Sequence, residues 1–165
     1  MNNVLNVINS IHDISGKPPC KKTIHKMIYL IQEAENGVDL GFDYSIYFYG
    51  PYSKDLNAEI SYLYRTGEVN IEVSRYEHKI SVAEGEHSEA TTPEEPILEV
   101  IRRFADKKPV ELELITTTLY IKREAPHATD DETVNYVIKV KGSKYPVPQI
   151  KSAINELRTA GYFAA

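Results

Sequence analysis

Residues 50–67 read Gly50-Pro51-Tyr52-Ser53-Lys54-Asp55-Leu56-Asn57-Ala58-Glu59-Ile60-Ser61-Tyr62-Leu63-Tyr64-Arg65-Thr66-Gly67. Gly-Pro breaks whatever precedes it, and Ser53 offers a hydroxyl to the orphan N–H groups of a helical first turn. Leu56, Ile60 and Leu63 then recur at helical spacing, so the pattern predicts a helix over 54–65 with one apolar stripe. Thr66-Gly67 ends it. This helix needs neighbours to cover the stripe, and the flanking sequence supplies them.

Upstream, residues 3–14 place Val4, Leu5, Ile8 and Ile11 on one face, and Gly16 with Pro18-Pro19 stops that helix. Lys21 to Glu35 predicts a second helix through Ile24, Met27, Ile28, Leu30 and Ile31, closed at Asn36-Gly37. Phe42-Asp43-Tyr44-Ser45-Ile46-Tyr47-Phe48-Tyr49 alternates and predicts one extended segment up to the Gly-Pro break. Downstream, 68–73 and 79–82 predict two short strands joined by a polar turn around Ser74-Arg75-Tyr76-Glu77.

The acidic, Pro-containing run 84–96 (EGEHSEATTPEEP) divides the chain. The expected organisation is a winged-helix-like half over 1–83, a polar linker over 84–96 and a helical half over 97–165, the halves being separate or packed as one unit. In the second half helices are expected at 97–105 (Ile97, Leu98, Ile101 and Phe104 buried), from Pro109 (Leu112, Ile115, Leu119 and Tyr120 on one face), at 130–140 (Val134, Val137 and Ile138) and at 147–159 (Ile150, Ile154 and Leu157). The spacing of Leu56, Ile60, Leu63 and Gly67 recurs in Ile150, Ile154, Leu157 and Gly161. Either this marks a duplicated half, or it is the common signature of an amphipathic helix ending in glycine. The fold class is therefore mainly α with a small β component: a winged helix-turn-helix carrying a C-terminal helical half.

In a winged helix the third helix enters the major groove and the ribbon touches phosphates. Here the candidate nucleic-acid contacts are Ser53, Lys54, Asn57, Ser61 and Arg65 on the helix and Arg75 and Lys79 on the wing. Asn57 suits adenine, and Arg65 suits guanine or phosphate. The competing reading is an ordinary solvated face. The chain's net charge is −5, and residues 1–74 carry 6 Lys and Arg against 9 Asp and Glu, which weighs against a polyanionic partner. Of the 12 tyrosines, in a chain with no tryptophan, Tyr44, Tyr47, Tyr49, Tyr52, Tyr62 and Tyr64 cluster around the Gly-Pro turn. Tyr49, Tyr52 and Tyr62 are candidate protein-interface anchors, unless the tyrosines form a packed seam instead.

The string Lys22-Thr23-Ile24-His25-Lys26-Met27-Ile28-Tyr29-Leu30-Ile31-Gln32, the aromatic strand 44–49, Gly50-Pro51-Tyr52-Ser53-Lys54-Asp55-Leu56, Leu63 and Gly67 together resemble the YwgA-like family of small prokaryotic proteins. They are similar, more distantly, to the Panacea antitoxin-associated domain. Both show a K-x-x-Y-L helix, an aromatic strand and a Gly-Pro motif before a helix that ends in glycine. The likeness is strongest over 20–70 and continues loosely through 112–121, 132–145 and 150–157. It implies a winged-helix-like architecture and a regulatory or antitoxin-type role, with no catalytic residues.

The remaining chemistry is sparse. His12, His25, His78, His87 and His127 lie in different elements without metal-ligand spacing, so no metal or cofactor is expected. Cys20, the single cysteine, has no internal disulfide partner and no adjacent base, which points to a reducing compartment rather than to a nucleophile. P-loop, GxGxxG and GxSxG motifs are absent, and no enzyme is expected. No secretory signal and no run near the roughly 18 apolar residues of a membrane span is visible, so the expected location is the cytoplasm. The expected partner is double-stranded DNA or, alternatively, a protein such as a toxin, and a homodimer would suit paired half-sites.

Overall fold

The computed structural model describes residues 2–85 and 89–164. His87 and part of the 84–96 segment lie outside the described residues. Seven helices and two antiparallel strand pairs follow one another as α1 (Asn3–Ser15), α2 (Lys21–Glu33), β1 (Ser45–Tyr47), β2 (Gly50–Tyr52), α3 (Lys54–Arg65), β3 (Val69–Val73), β4 (His78–Val82), α4 (Glu95–Phe104), α5 (Pro109–Glu124), α6 (Asp130–Lys141) and α7 (Val147–Thr159).

The predicted helices form because their ends are chemically closed. Asn2 caps α1 through a hydrogen bond that its Oδ1 accepts from the Leu5 N–H at 3.1 Å. Ser53 caps α3 in the same way, accepting from the Leu56 N–H at 3.2 Å. Thr129 and Glu132 form a reciprocal capping box at the start of α6. Leu56, Ile60 and Leu63 are fully buried, as the stripe requires.

Two helices are central. α2 is buried continuously from Thr23 to Ile31, and α5 from Leu112 to Leu119. They pack on each other; α4 adds to α2, while α6 and α7 flank α5. α1 packs on α4 and β4, and α3 lies on β3. One hydrophobic cluster runs through all seven helices. The 84–96 segment is anchored as well: the Thr91 N–H donates to Oδ1 of the buried Asn6 at 2.7 Å.

Three expectations need correction. The extended segment expected over 42–49 pairs only at Ser45–Tyr47, and Gly50-Pro51 does not break it but returns it as β2. The register is Ser45↔Tyr52, Ile46↔Pro51 and Tyr47↔Gly50, around a two-residue turn of Phe48 and Tyr49. A φ of +91° at Gly50, cheap only for glycine, permits this reversal. Leu98 is only half-buried and Ile138 is exposed; Val100 and Thr133 occupy the buried positions beside them, because the packing partners sit slightly around each helix from where periodicity alone put them. Lastly, α5 does not bury one face. It is enclosed on nearly all sides, so Glu113, Thr116, Thr117 and Thr118 are interior. Thr116 and Thr118 satisfy their hydroxyls on the carbonyls of Leu112 and Leu114, both at 2.7 Å.

Candidate functional site

Two surfaces carry the expected residues. The first is α3 with the β3–β4 hairpin. That hairpin has the predicted form, with Val69↔Val82 and Ile71↔Ile80 on its inner face and Glu72↔Lys79 outside. Ser74 closes the tip, donating its N–H to the Glu77 carbonyl at 2.9 Å. Lys54 and Arg65 are exposed near opposite ends of α3, and Arg75 is exposed at the hairpin tip.

The other expected contacts are less available. Ser53 is fully buried and its hydroxyl is committed to the helix cap, so it presents nothing to a ligand. Asn57 and Ser61 are half-buried, and Oδ1 of Asn57 is buried with no hydrogen-bond partner among the described residues. Lys79 sits 3.8 Å from Glu77. The outward side of α3 also carries Asp55, Ala58, Tyr62 and Tyr64. Basic groups on this face are thus few, and they are interspersed with acid and aromatic side chains.

The second surface is the β1–β2 hairpin, and other elements hold it on several sides. β2 rests on α5: a Cβ on Gly50, just after the turn, would stand 2.9 Å from Oγ1 of Thr117. From α2, the buried Lys26 donates to the Pro51 carbonyl at 2.8 Å. From the end of α6, Lys141 donates to the Phe48 carbonyl at 2.7 Å. The His25 ring stacks on Tyr52 with centroids 4.4 Å apart, and its Nδ1 accepts from the Ser53 N–H at 3.3 Å. Lys22 places its ammonium 3.6 Å from the centre of the Tyr49 ring. Tyr52 is therefore half-buried structure, while Tyr49 and Tyr62 are exposed.

Glu113 organises the underside of this hairpin. One of its oxygens, Oε2, accepts from Lys144 at 2.7 Å and from the Tyr145 hydroxyl at 2.7 Å, and lies 3.2 Å from the Lys141 ammonium. Burial alone would push the Glu113 carboxyl up. The hydrogen bonds from Lys144 and Tyr145 and the charge of Lys141 outweigh it and hold the group below the usual carboxylate range. Burial pushes Lys26 down to about 8, against the pull of Glu113. It pushes His25 down to about 3, helped by the charges of Lys26 and Lys21, so the imidazole is neutral and its Nδ1 is free to accept.

Sequence reasoning placed neither Lys22, Lys26, Glu113, Lys141, Lys144 nor Phe48 at a site. They come from α2, α5, α6 and two loops, and only the tertiary fold gathers them. The sequence signal available was the Gly-Pro turn crowded with tyrosines.

Among the described residues, no group of three or more His, Cys, Asp or Glu is arranged to hold a metal ion. No helix among them is long and apolar enough to cross a membrane. Comparison with family models, with curated proteins and with solved structures gives no match.

Proposed function

We propose that this chain is a non-catalytic, winged-helix-type module that binds a partner protein, gripping it with the β1–β2 hairpin. The observation that carries the proposal is Phe48. Phe48 is 92% exposed, yet the Lys141 ammonium holds its carbonyl, and β2, which begins at Gly50, packs on α5. A large aromatic group displayed on a rigid turn loses little entropy on binding and is a good anchor for an interface. Tyr49 beside it, and Tyr62 and Tyr64 on α3, extend the exposed aromatic surface. A cytoplasmic antitoxin or adaptor role fits this reading, and it agrees with the resemblance to the YwgA-like and Panacea groups.

A second reading has its own support. Lys54, Arg65 and Arg75 are exposed on a helix and on the ribbon that follows it, the order used by winged-helix transcriptional regulators on duplex DNA, which often act as homodimers. Asp55 and the neutral aromatic face of α3 count against it.

One experiment separates the two. Tagged wild-type protein and two variants, Phe48→Ala with Tyr49→Ala, and Lys54→Ala with Arg65→Ala and Arg75→Ala, are purified from the native cell and assayed for bound protein and for duplex DNA. The first variant is expected to lose a stoichiometric protein partner that the second retains. Salt-sensitive duplex binding that survives the hairpin change and vanishes with the triple change would establish the DNA reading instead.

A further inference from the structure

The surroundings of the β1–β2 hairpin are locally basic. Four lysines, Lys22, Lys26, Lys141 and Lys144, surround a single carboxylate, Glu113, in a protein whose net charge is −5. Lys141 and Lys144 share one oxygen of that carboxylate. Lys26 is spent on a backbone carbonyl. Lys22 makes no ion pair among the described residues; its partner is the Tyr49 ring. Lys22 is exposed, and Lys144 keeps 40% of its side chain exposed. An excess of positive charge therefore borders the displayed Phe48.

We infer that this surface accepts an acidic peptide segment of a partner protein, with an apolar side chain against Phe48 and its carboxylates beside Lys22 and Lys144. The inference rests on the protein-binding reading given above and adds the chemistry of the partner. Charge complementarity supports it, since Lys22 has no ion pair among the described residues and Lys141 and Lys144 have one carboxylate between them. Nucleic acid fits less well. A strand stacks on successive open aromatic faces, and at this turn only Phe48 offers one, because the Lys22 ammonium lies over the Tyr49 ring with Lys144 5.7 Å from the same ring centre. Two accessible lysines beside one turn also do not form a groove that could track a phosphate backbone.

The test uses the full chain as bait for phage-displayed random dodecapeptides, followed by fluorescence anisotropy on the enriched peptides. Enriched sequences should place Asp or Glu next to Leu, Phe or Trp. Their affinity should fall about tenfold with Phe48→Ala and about fivefold with Lys22→Glu. It should also weaken as salt rises from about 50 to about 300 mM. Melting curves check that both solvent-facing substitutions leave the fold intact, and Lys22→Gln is the second variant should Lys22→Glu unfold. Binding that depends on Phe48 but ignores Lys22 and salt would keep the hairpin as an interface and overturn the acidic partner. Enrichment of neutral or basic peptides, no enrichment at all, or Phe48-dependent binding of labelled oligo(dT) would overturn it too.

Discussion

The two hairpins of this protein are fastened by different physics. β3–β4 has five residues per strand, an alternating inner face and a tip closed by its own backbone. α1 and α3 pack against it, and the Ile80 N–H donates to the distant Pro19 carbonyl at 2.9 Å, but no such bond reaches its tip among the described residues. β1–β2 has three residues per strand, one of them a proline that cannot donate to the ladder. It stands because α2, α5 and α6 each reach it with a side chain or a packed surface. A hairpin stabilised by its own ladder can leave its tip unconstrained, whereas a hairpin clamped from outside displays its tip in one fixed pose. On the proposed reading, that fixed pose is what suits the shorter, less regular hairpin to recognition.

Removing the clamp should have the largest effect. Glu113→Ala leaves Lys141, whose side chain is 4% exposed, without its carboxylate. A loss of about 3–5 kcal/mol in urea unfolding at neutral pH is expected. The sign with pH follows from the lowered carboxyl. Its contribution is fully present above the unfolded value of about 4.5 and disappears as pH falls through the lower folded value. The gap between wild type and variant should therefore narrow in acid; a gap independent of pH would mean that the ion cluster does not hold the hairpin.

Glycine substitutions sharpen the contrast at intermediate size. Gly50→Ala combines a left-handed φ with a contact of 2.9 Å at Thr117 and should cost about 2–3 kcal/mol. Gly67, which precedes β3, has φ +80° but open space around it. Gly67→Ala should cost only the backbone strain, about 1 kcal/mol. Equal losses at the two sites would remove the distinction between a glycine pressed against a neighbouring helix and one in open space.

The smallest effect is expected at the tip of β3–β4. Tyr76 is 84% exposed and Arg75 contacts only its ring, at 5.6 Å, among the interactions of the described residues. Arg75→Ala and Tyr76→Ala should each change stability by less than about 0.5 kcal/mol, measured by thermal unfolding.

The same contrast explains what could be read from the sequence. α3 and β3–β4 are coded locally: Leu56, Ile60 and Leu63 mark a stripe, Ser53 a cap, Gly67 a stop, and alternation marks the strands. The mainly helical class with a small β part follows from such signals. β1–β2 is coded by its surroundings. Gly50-Pro51 is ordinarily a break, and it becomes a strand here because Lys26 and Thr117, distant in sequence, provide a hydrogen bond and a floor. Glu113 and the threonines of α5 fall outside the single apolar face expected there, because no local pattern records that helices will enclose a segment on all sides. The available half of the expected site, Lys54, Arg65, Arg75, Tyr49 and Tyr62, was legible as exposed residues. The lysine cluster was not, since its members are scattered over more than a hundred positions of the chain.

The tail of α7 has a consequence for how the chain comes to be made. The Tyr162 hydroxyl donates to the Leu30 carbonyl at 2.8 Å, and Arg123 donates to the carbonyls of Glu33 and Tyr162. α2, synthesised early, thus acquires its last neighbours only when residue 162 has left the ribosome. Until α5 is made, the flank of α2 that it covers has nothing to lie against, so a nascent chain stalled before α5 should be a substrate for holdase chaperones, and folding should complete late.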